Sequence, residues 1–429
     1  MARDEPNGSR GNGGGDPAPR SSAKPQAARP QAWALPISFR EFIVLSALLV
    51  SLTAMSIDIM LPALPQIGAT FGVPGRNDQQ FVVLYFFIGM SVGQLFYGPL
   101  SDRFGRKPLL LTGLIIYLLA AVACVSVTQF EHLLGARLVQ GFGGAAGRIL
   151  VTAIVRDLLS GRQMARVMSI VMMVFVLVPI LAPTVGQGMA KLGDWRTIFY
   201  FLIGAALVAV AWSSVRLPET RKIGKQPPLT YGRALVAIFS SRTTVGYSIA
   251  SGFLFGFLTT YVTTAQQIFV DVFALGERFP IAFGLVATLV AAAAFTNSRL
   301  VLRYGMRRVS HMALIGFVAT TGVLAVVSHL SNPPLYVFGP LLGCAFYAYG
   351  LMNSNFNAIA MQPMGHVAGM AASLSGFYMT TAGATFGWLI ARQFDGTVRP
   401  MSLGIFVLGC LILATVLATE GRKGLFRGE

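Results

Sequence analysis

The chain has 429 residues, of which 54% are hydrophobic and only 11% charged, against roughly 25% charged in soluble domains. A soluble fold of this size could not cover so much apolar surface with so little polar surface, which excludes an ordinary water-soluble enzyme or binding module. The net charge of +17 would suit nucleic acid, but the cations are scattered through alternate loops and form no contiguous basic face interleaved with aromatics.

Residues 1–38 are rich in Gly, Pro, Ala, Ser and Arg and hold no hydrophobic run. They are expected to be a disordered cytoplasmic tail and not a signal peptide, with the first helix serving as the insertion signal. Beyond them, apolar stretches of 18 or more residues recur, each long enough to cross a bilayer core of about 30 Å. They predict twelve transmembrane helices, at about 42–66, 80–100, 108–128, 132–154, 167–190, 196–216, 243–268, 280–301, 309–329, 335–357, 367–390 and 401–419. A polar, basic connection at 217–242, carrying Pro227 and Pro228, divides them six and six. The expected organisation is an N-terminal six-helix bundle at 39–217, a central cytoplasmic linker at 218–242, a C-terminal six-helix bundle at 243–419 and a cytoplasmic tail at 420–429. RFGRK at 103–107 is echoed by RYGMR at 303–307, after the second helix of each half. That echo supports an all-α membrane protein built from two pseudo-repeated bundles, with substrate bound near the midplane between them.

Lys and Arg crowd into alternate loops, among them Arg103, Arg106 and Lys107, then Arg156, Arg162 and Arg166, then Arg299, Arg303, Arg307 and Arg308. This positive-inside alternation predicts that both termini are cytoplasmic. Cys124, Cys344 and Cys410 are far apart, and His132, His311, His329 and His366 sit near separate helix ends. With no metal-type spacing and no nucleophile beside a base, neither a metal site nor catalytic residues are expected, and the protein is not expected to be an enzyme.

Most of the sixteen acidic residues fall in tails, loops or helix ends. Asp58 falls inside the first helix, where a carboxylate costs on the order of 2.5–3.5 kcal/mol and should face a cavity or a partner. It could be a structural acid paired with a neighbouring helix. The functional alternative is a proton carrier, because burial favours its neutral form and a nearby cation its charged form. Arg137 and Arg148 lie eleven residues apart in the fourth helix, three turns and roughly 16 Å along one face. Gln140 lies beside that face, and Arg137 and Gln140 bracket the depth of Asp58, allowing an ionic or hydrogen-bonded cluster. Arg148, two turns from the loop, could instead snorkel to the interface. Tyr261, Tyr347 and Asn353 are further candidates for the cavity lining, with Asp58, Gln140 and Arg148. Aromatics of this kind more often face lipid or neighbouring helices, and Asn353, Asn355 and Asn357 alternate, so they cannot share one face.

In GPLSDRFGRK at 98–107, Gly98 and Pro99 are expected to close a helix, Gly105 to permit a tight turn, and three cations to confront Asp102. This stretch resembles the signature G-x-L-x-D-R-x-G-R-(K/R) of the major facilitator superfamily. RLVQG at 137–141 resembles the fourth-helix motif of its drug–proton antiporters. PILAPTVGQG at 179–188 resembles their fifth-helix motif, with Pro179, Pro183, Gly186 and Gly188 in place and Ala182 where the longer form has Gly. DIMLPALP at 58–65, VRDLLSG at 155–161, GDWRTIFYF at 193–201 and GHVAGMAASLSGF at 365–377 together resemble the Bcr/CflA drug-resistance subfamily, which includes phenicol exporters.

The resemblance implies the two-bundle major facilitator fold and a proton-coupled multidrug efflux transporter of the bacterial inner membrane. It would work by alternating access as a monomer, with protons, the bilayer and small organic compounds as its partners, phenicol-like antibiotics among the candidates. It implies the proton gradient in place of any cofactor. By position it implies Asp58 as proton carrier, Arg137 as its coupling partner near Gln140, and a conformational latch of Gly98, Asp102, Arg103, Gly105 and Arg106 with Asp157. Arg148 departs from the small or apolar residue usual in the subfamily, which points away from cationic substrates. The alternative is a proton-coupled or passive importer of a small metabolite, which shares the fold and latch but does not need the fifth-helix pattern.

Overall fold

The computed structural model describes residues 37–75, 77–159, 161–221 and 231–421. Helices α1 (Phe39–Asp58), α2 (Leu64–Thr70), α3 (Phe81–Phe104), α4 (Arg106–Ser126), α5 (Phe130–Leu158), α6 (Gly161–Leu192) and α7 (Arg196–Arg216) form the first half. After the short α8 (Tyr231–Ser240), the second half is α9 (Arg242–Gln266), α10 (Phe279–Tyr304), α11 (Met306–Leu330), α12 (Leu335–Met361), α13 (Ala368–Ala391) and α14 (Arg399–Glu420). No strand occurs among the described residues.

Among the described residues, eleven spans are long and apolar enough to cross a membrane. The twelfth long helix, α13, has 24 residues but falls short in apolarity through its Ser, Thr and Gly content. Its position explains the composition: α13 packs against α9 in its own half and α3 in the other, so it faces protein on two sides. α1 and α9 are likewise mostly enclosed, whereas α6, α7, α10 and α11 turn large apolar side chains outward, as lipid-facing helices must.

Within the first half α5 packs on α3 and α4, and α1 on α6. Gly89 and Gly141 let α3 and α5 approach backbone to backbone, since a Cβ on either would overlap a carbonyl of the facing helix. In the second half α9 packs on α12, α13 and α14. The halves meet where α3 lies against α13 and α6 against α10.

Two expectations about the elements are corrected. The first helix does not run unbroken to residue 66. α1 ends at Asp58, and a 3-10 turn, Leu61–Ala63, leads into α2. Pro62 and Pro65 at the starts of these segments supply no N–H to continue the ladder. Gly98 and Pro99 do not close a helix either: α3 carries Pro99 internally and runs to Phe104. One absent N–H is tolerated there, and the turn into α4 is a single residue, Gly105, at φ +101°, a conformation that suits glycine. The 218–242 connection contains α8, whose Ile238 packs on Met364, Val367 and Ala371. Residues 222–230, including Pro227 and Pro228, and most of both tails lie outside the described residues.

Candidate transport site

The site begins where α1 stops. Ile59 N still donates to Met55 O at 3.0 Å, but Met60 N turns to Ile57 O at 3.3 Å, so the Ser56 carbonyl drops out of the helical ladder. Arg137 Nη2 donates to that carbonyl at 3.0 Å, Nη1 to Gln140 Oε1 at 2.7 Å, and Nε to Val82 O at 3.3 Å. Its guanidinium also lies 4.4 Å from the centre of the Phe86 ring, within cation–π range. Arg137 is completely buried, and a cation here meets the negative end of the α1 dipole. Ser56 Oγ donates to Leu52 O at 2.6 Å, which leaves Tyr117 as the donor of the 2.5 Å Tyr117–Ser56 hydroxyl contact.

α1 and α5 are therefore joined through the backbone two residues before Asp58. No ion pair between Asp58 and Arg137 occurs among the described residues. Asp58 itself is buried at 6% exposure. Gly186 of α6 sits directly on the next residue, and a Cβ there would overlap the Ile59 carbonyl oxygen. Pro183 is buried beside this seam and Pro179 partly so, while Gly188 faces open space.

From the other half, Tyr261 of α9 comes within electrostatic reach of Asp58. Its ring stacks on Phe283 at 5.0 Å and meets Phe346 edge-on at 4.7 Å. The Tyr261 hydroxyl is buried with no hydrogen-bond partner among the described residues. A buried carboxyl within electrostatic reach of a buried hydroxyl of the other bundle can take up and release a proton as the boundary between the bundles changes.

The other predicted lining residues separate. Gln140 is fully buried behind Arg137 and lines no open surface. Arg148 is partly buried and within electrostatic reach of Tyr349 on α12, in the other half. Tyr347 is partly buried and Asn353 exposed. Asn355, by contrast, is locked in a reciprocal amide pair with Asn297 at 2.9 and 3.1 Å, so the three alternating asparagines do divide between faces.

The 98–107 segment forms a polar cluster at one end of the first half. Arg106 pairs with Asp102 at 2.7 Å and with Asp157 at 2.8 Å. Arg103 contributes its carbonyl, which accepts from Arg221 at 2.7 Å. Gly98 marks a contact between halves, since a Cβ there would lie 2.7 Å from Ser373 Oγ on α13. Glu219 completes the cluster by accepting from the backbone N–H groups of Arg106 at 2.9 Å and Lys107 at 3.1 Å, at the N-terminus of α4. Its signal in the sequence is faint but present: it is the one carboxylate in the cationic 217–242 connection. The second half repeats the plan with Gly305 at φ +80° and an Arg307–Glu420 pair at 3.1 Å.

Two pseudo-repeated six-helix bundles with a buried carboxyl at a helix break between them define a secondary transporter. The Major Facilitator Superfamily model matches residues 46–391. A bicyclomycin resistance protein homolog of Haemophilus influenzae is 32% identical over 385 residues, 88% of this chain and 94% of the relative. The multidrug resistance protein MdtL of Citrobacter koseri is 27% identical over 387 residues, 88% of this chain and 94% of its own. Among solved structures, the partially occluded inward-open xylose transporter XylE from E. coli superposes with a TM-score of 0.69 at 14% identity, over 88% of this chain and 96% of that one. The chain belongs to the major facilitator superfamily, in its Bcr/CflA-type drug-resistance branch.

Proposed function

We propose that the protein is a proton-coupled multidrug efflux transporter that exports small organic compounds by alternating access. The observation that carries this is Asp58, a buried carboxyl at the break in α1, within electrostatic reach of the buried Tyr261 hydroxyl of the opposite half. The resistance proteins among its relatives support export over import. Asp58 carries the proton. Arg137 couples to it by fixing the end of α1 through the Ser56 carbonyl, so that protonation and the shape of the break are linked. Bicyclomycin and the phenicols are the first compounds to try, and Arg148 with Asn353 favours polar or anionic ones over organic cations.

The alternate-loop cations support a reading in which the Gly105 face and both termini are cytoplasmic and the helices lie in a bacterial inner membrane. The Arg106 cluster is the conformational latch of that face. One chain, with its two halves, suffices as the transporting unit.

The test is proton release from detergent-solubilised protein on adding substrate, run beside export from energised vesicles. Wild type should release protons and export. Asp58→Asn should insert and fold but do neither. Unchanged release together with unchanged export in Asp58→Asn overturns Asp58 as the carrier.

A further inference from the structure

The two halves must part on one face and close on the other in every transport cycle, so the bonds that cross between them set which face is shut. On the face opposite Gly105, those bonds concentrate on one side chain. Asn77 sits in the turn before the 3-10 segment Asp78–Gln80 that leads into α3. The 24 residues of α3, about 36 Å, separate that turn from Gly105.

Asn77 Nδ2 donates to Arg392 O and to Phe394 O, each at 3.0 Å, and Asn77 Oδ1 accepts from Gln267 Nε2 at 2.8 Å. Carbonyls only accept, so the orientation of the amide is fixed by its partners. Both amide protons and the oxygen are committed to the other half. Arg392 caps α13, where the last carbonyls have no helical partner. Gln267 opens the π-helical turn Gln267–Val272 after α9 and is 1% exposed. One side chain of the first half thus ties together the ends of two helices of the second. The Phe81 and Trp388 rings, 5.5 Å apart, back the same seam.

Two further polar links between the halves among the described residues differ in kind. Lys191–Glu277, at 2.6 Å, has both side chains more than half exposed, and such pairs hold little. Gln94–Thr380, at 2.9 Å, is buried midway along α3 and α13. From this geometry we infer that Asn77 is the outer latch of the transporter: it holds the face opposite Gly105 closed, and its three bonds break together when that face opens. This inference rests on the alternating-access reading above.

The experiment reads populations without substrate, by double electron–electron resonance on the full-length chain with its three native cysteines replaced. One spin-label pair at Thr70→Cys and Gln393→Cys reports the Asn77 face, and another at Arg156→Cys and Gln362→Cys reports the Gly105 face. Asn77→Ala should raise the open population at the Asn77 face at least about tenfold, the shift expected when three hydrogen bonds are lost even at about 0.5 kcal/mol each. The Gly105-face pair should shorten in step. Asn77→Asp, which keeps the volume and the acceptor but loses both donors, should shift the same way and guards against a merely packing effect. Lys191→Ala should leave both distributions unchanged. Wild-type distances in both Asn77 variants overturn the latch, even if export is intact. Absence of proton-driven export from wild-type protein overturns the transport reading instead, whatever the distances show.

Discussion

At the scale of single residues, Gly186 and Gly188 look equivalent in the motif but differ in their surroundings. Gly186 bears on the Ile59 carbonyl, and Gly188 has nothing within 4 Å of where a Cβ would project. Gly186→Ala should therefore force α6 away from the α1 break, costing about 1–3 kcal/mol as overpacking does, and should disturb Asp58 next to it. Gly188→Ala should be silent on stability. Thermal unfolding in detergent beside a proton-release titration checks both, and equal effects at the two positions would contradict this packing of α6 on α1. Asp58 is legible in the sequence because a carboxylate inside an apolar stretch is anomalous on its own. The route by which Arg137 meets α1 is not, because it runs through a main-chain carbonyl freed by a change in hydrogen-bond register, which no side-chain pattern encodes.

At the scale of elements, helix existence can be read from apolar length, while helix interruption cannot. Pro99 and Pro62 are both prolines in apolar context, yet α3 continues through one and the first span breaks before the other. What decides is whether the neighbours can satisfy the freed groups, and that is a tertiary matter. The turn between α3 and α4 shows the same principle with a measurable consequence. Burial works against the charge of Glu219, but the backbone N–H groups of Arg106, Arg221, Lys107 and Thr220 outweigh it and hold its carboxyl below its ordinary 4.5. A depressed carboxylate contributes its stability above its unfolded pKa and loses it as pH falls through the folded one. Glu219→Gln should thus cost about 0.3–1 kcal/mol at neutral pH, the worth of an anion at a helix N-terminus. Melting temperatures of wild type and variant should converge as pH drops below about 4. A gap that stays constant with pH would show that the charge of Glu219 does not matter.

At the scale of the whole molecule, we propose that the two cations of α5 divide the labour between proton and cargo. Arg137 is sealed within the first half, whereas Arg148 is partly buried and within electrostatic reach of Tyr349 of the second. With roughly 16 Å between them, Arg148→Ala should change which compounds are exported and leave proton release nearly intact. A susceptibility panel in an efflux-deficient host, run with release titrations, separates the outcomes. Equal loss for every compound with altered release would place Arg148 in the coupling machinery, and no change in either would mean that it only snorkels. The two-bundle plan itself can be read from the six-and-six division and the 103–107 and 303–307 echo. The way the halves grip each other cannot, since Asn77 and its partners are 190 to 317 residues apart in the chain.

α13 has one more consequence, and it concerns how the protein is made. The insertion machinery sorts each emerging segment by its own apolarity, and α13, rich in Ser, Thr and Gly, is the long helix that falls short. The hydroxyl and small residues that let it lie between α9 and α3 weaken its claim on lipid when it emerges alone. It must then be retained by helices already in place, so the carboxyl-terminal half matures as a cooperative unit. Glycosylation mapping of α13 placed alone in a reporter protein should find it less completely inserted than in the full-length chain, and full insertion of the isolated segment would show that α13 needs no help. The surface that moves during transport would thus also delay the birth of the fold.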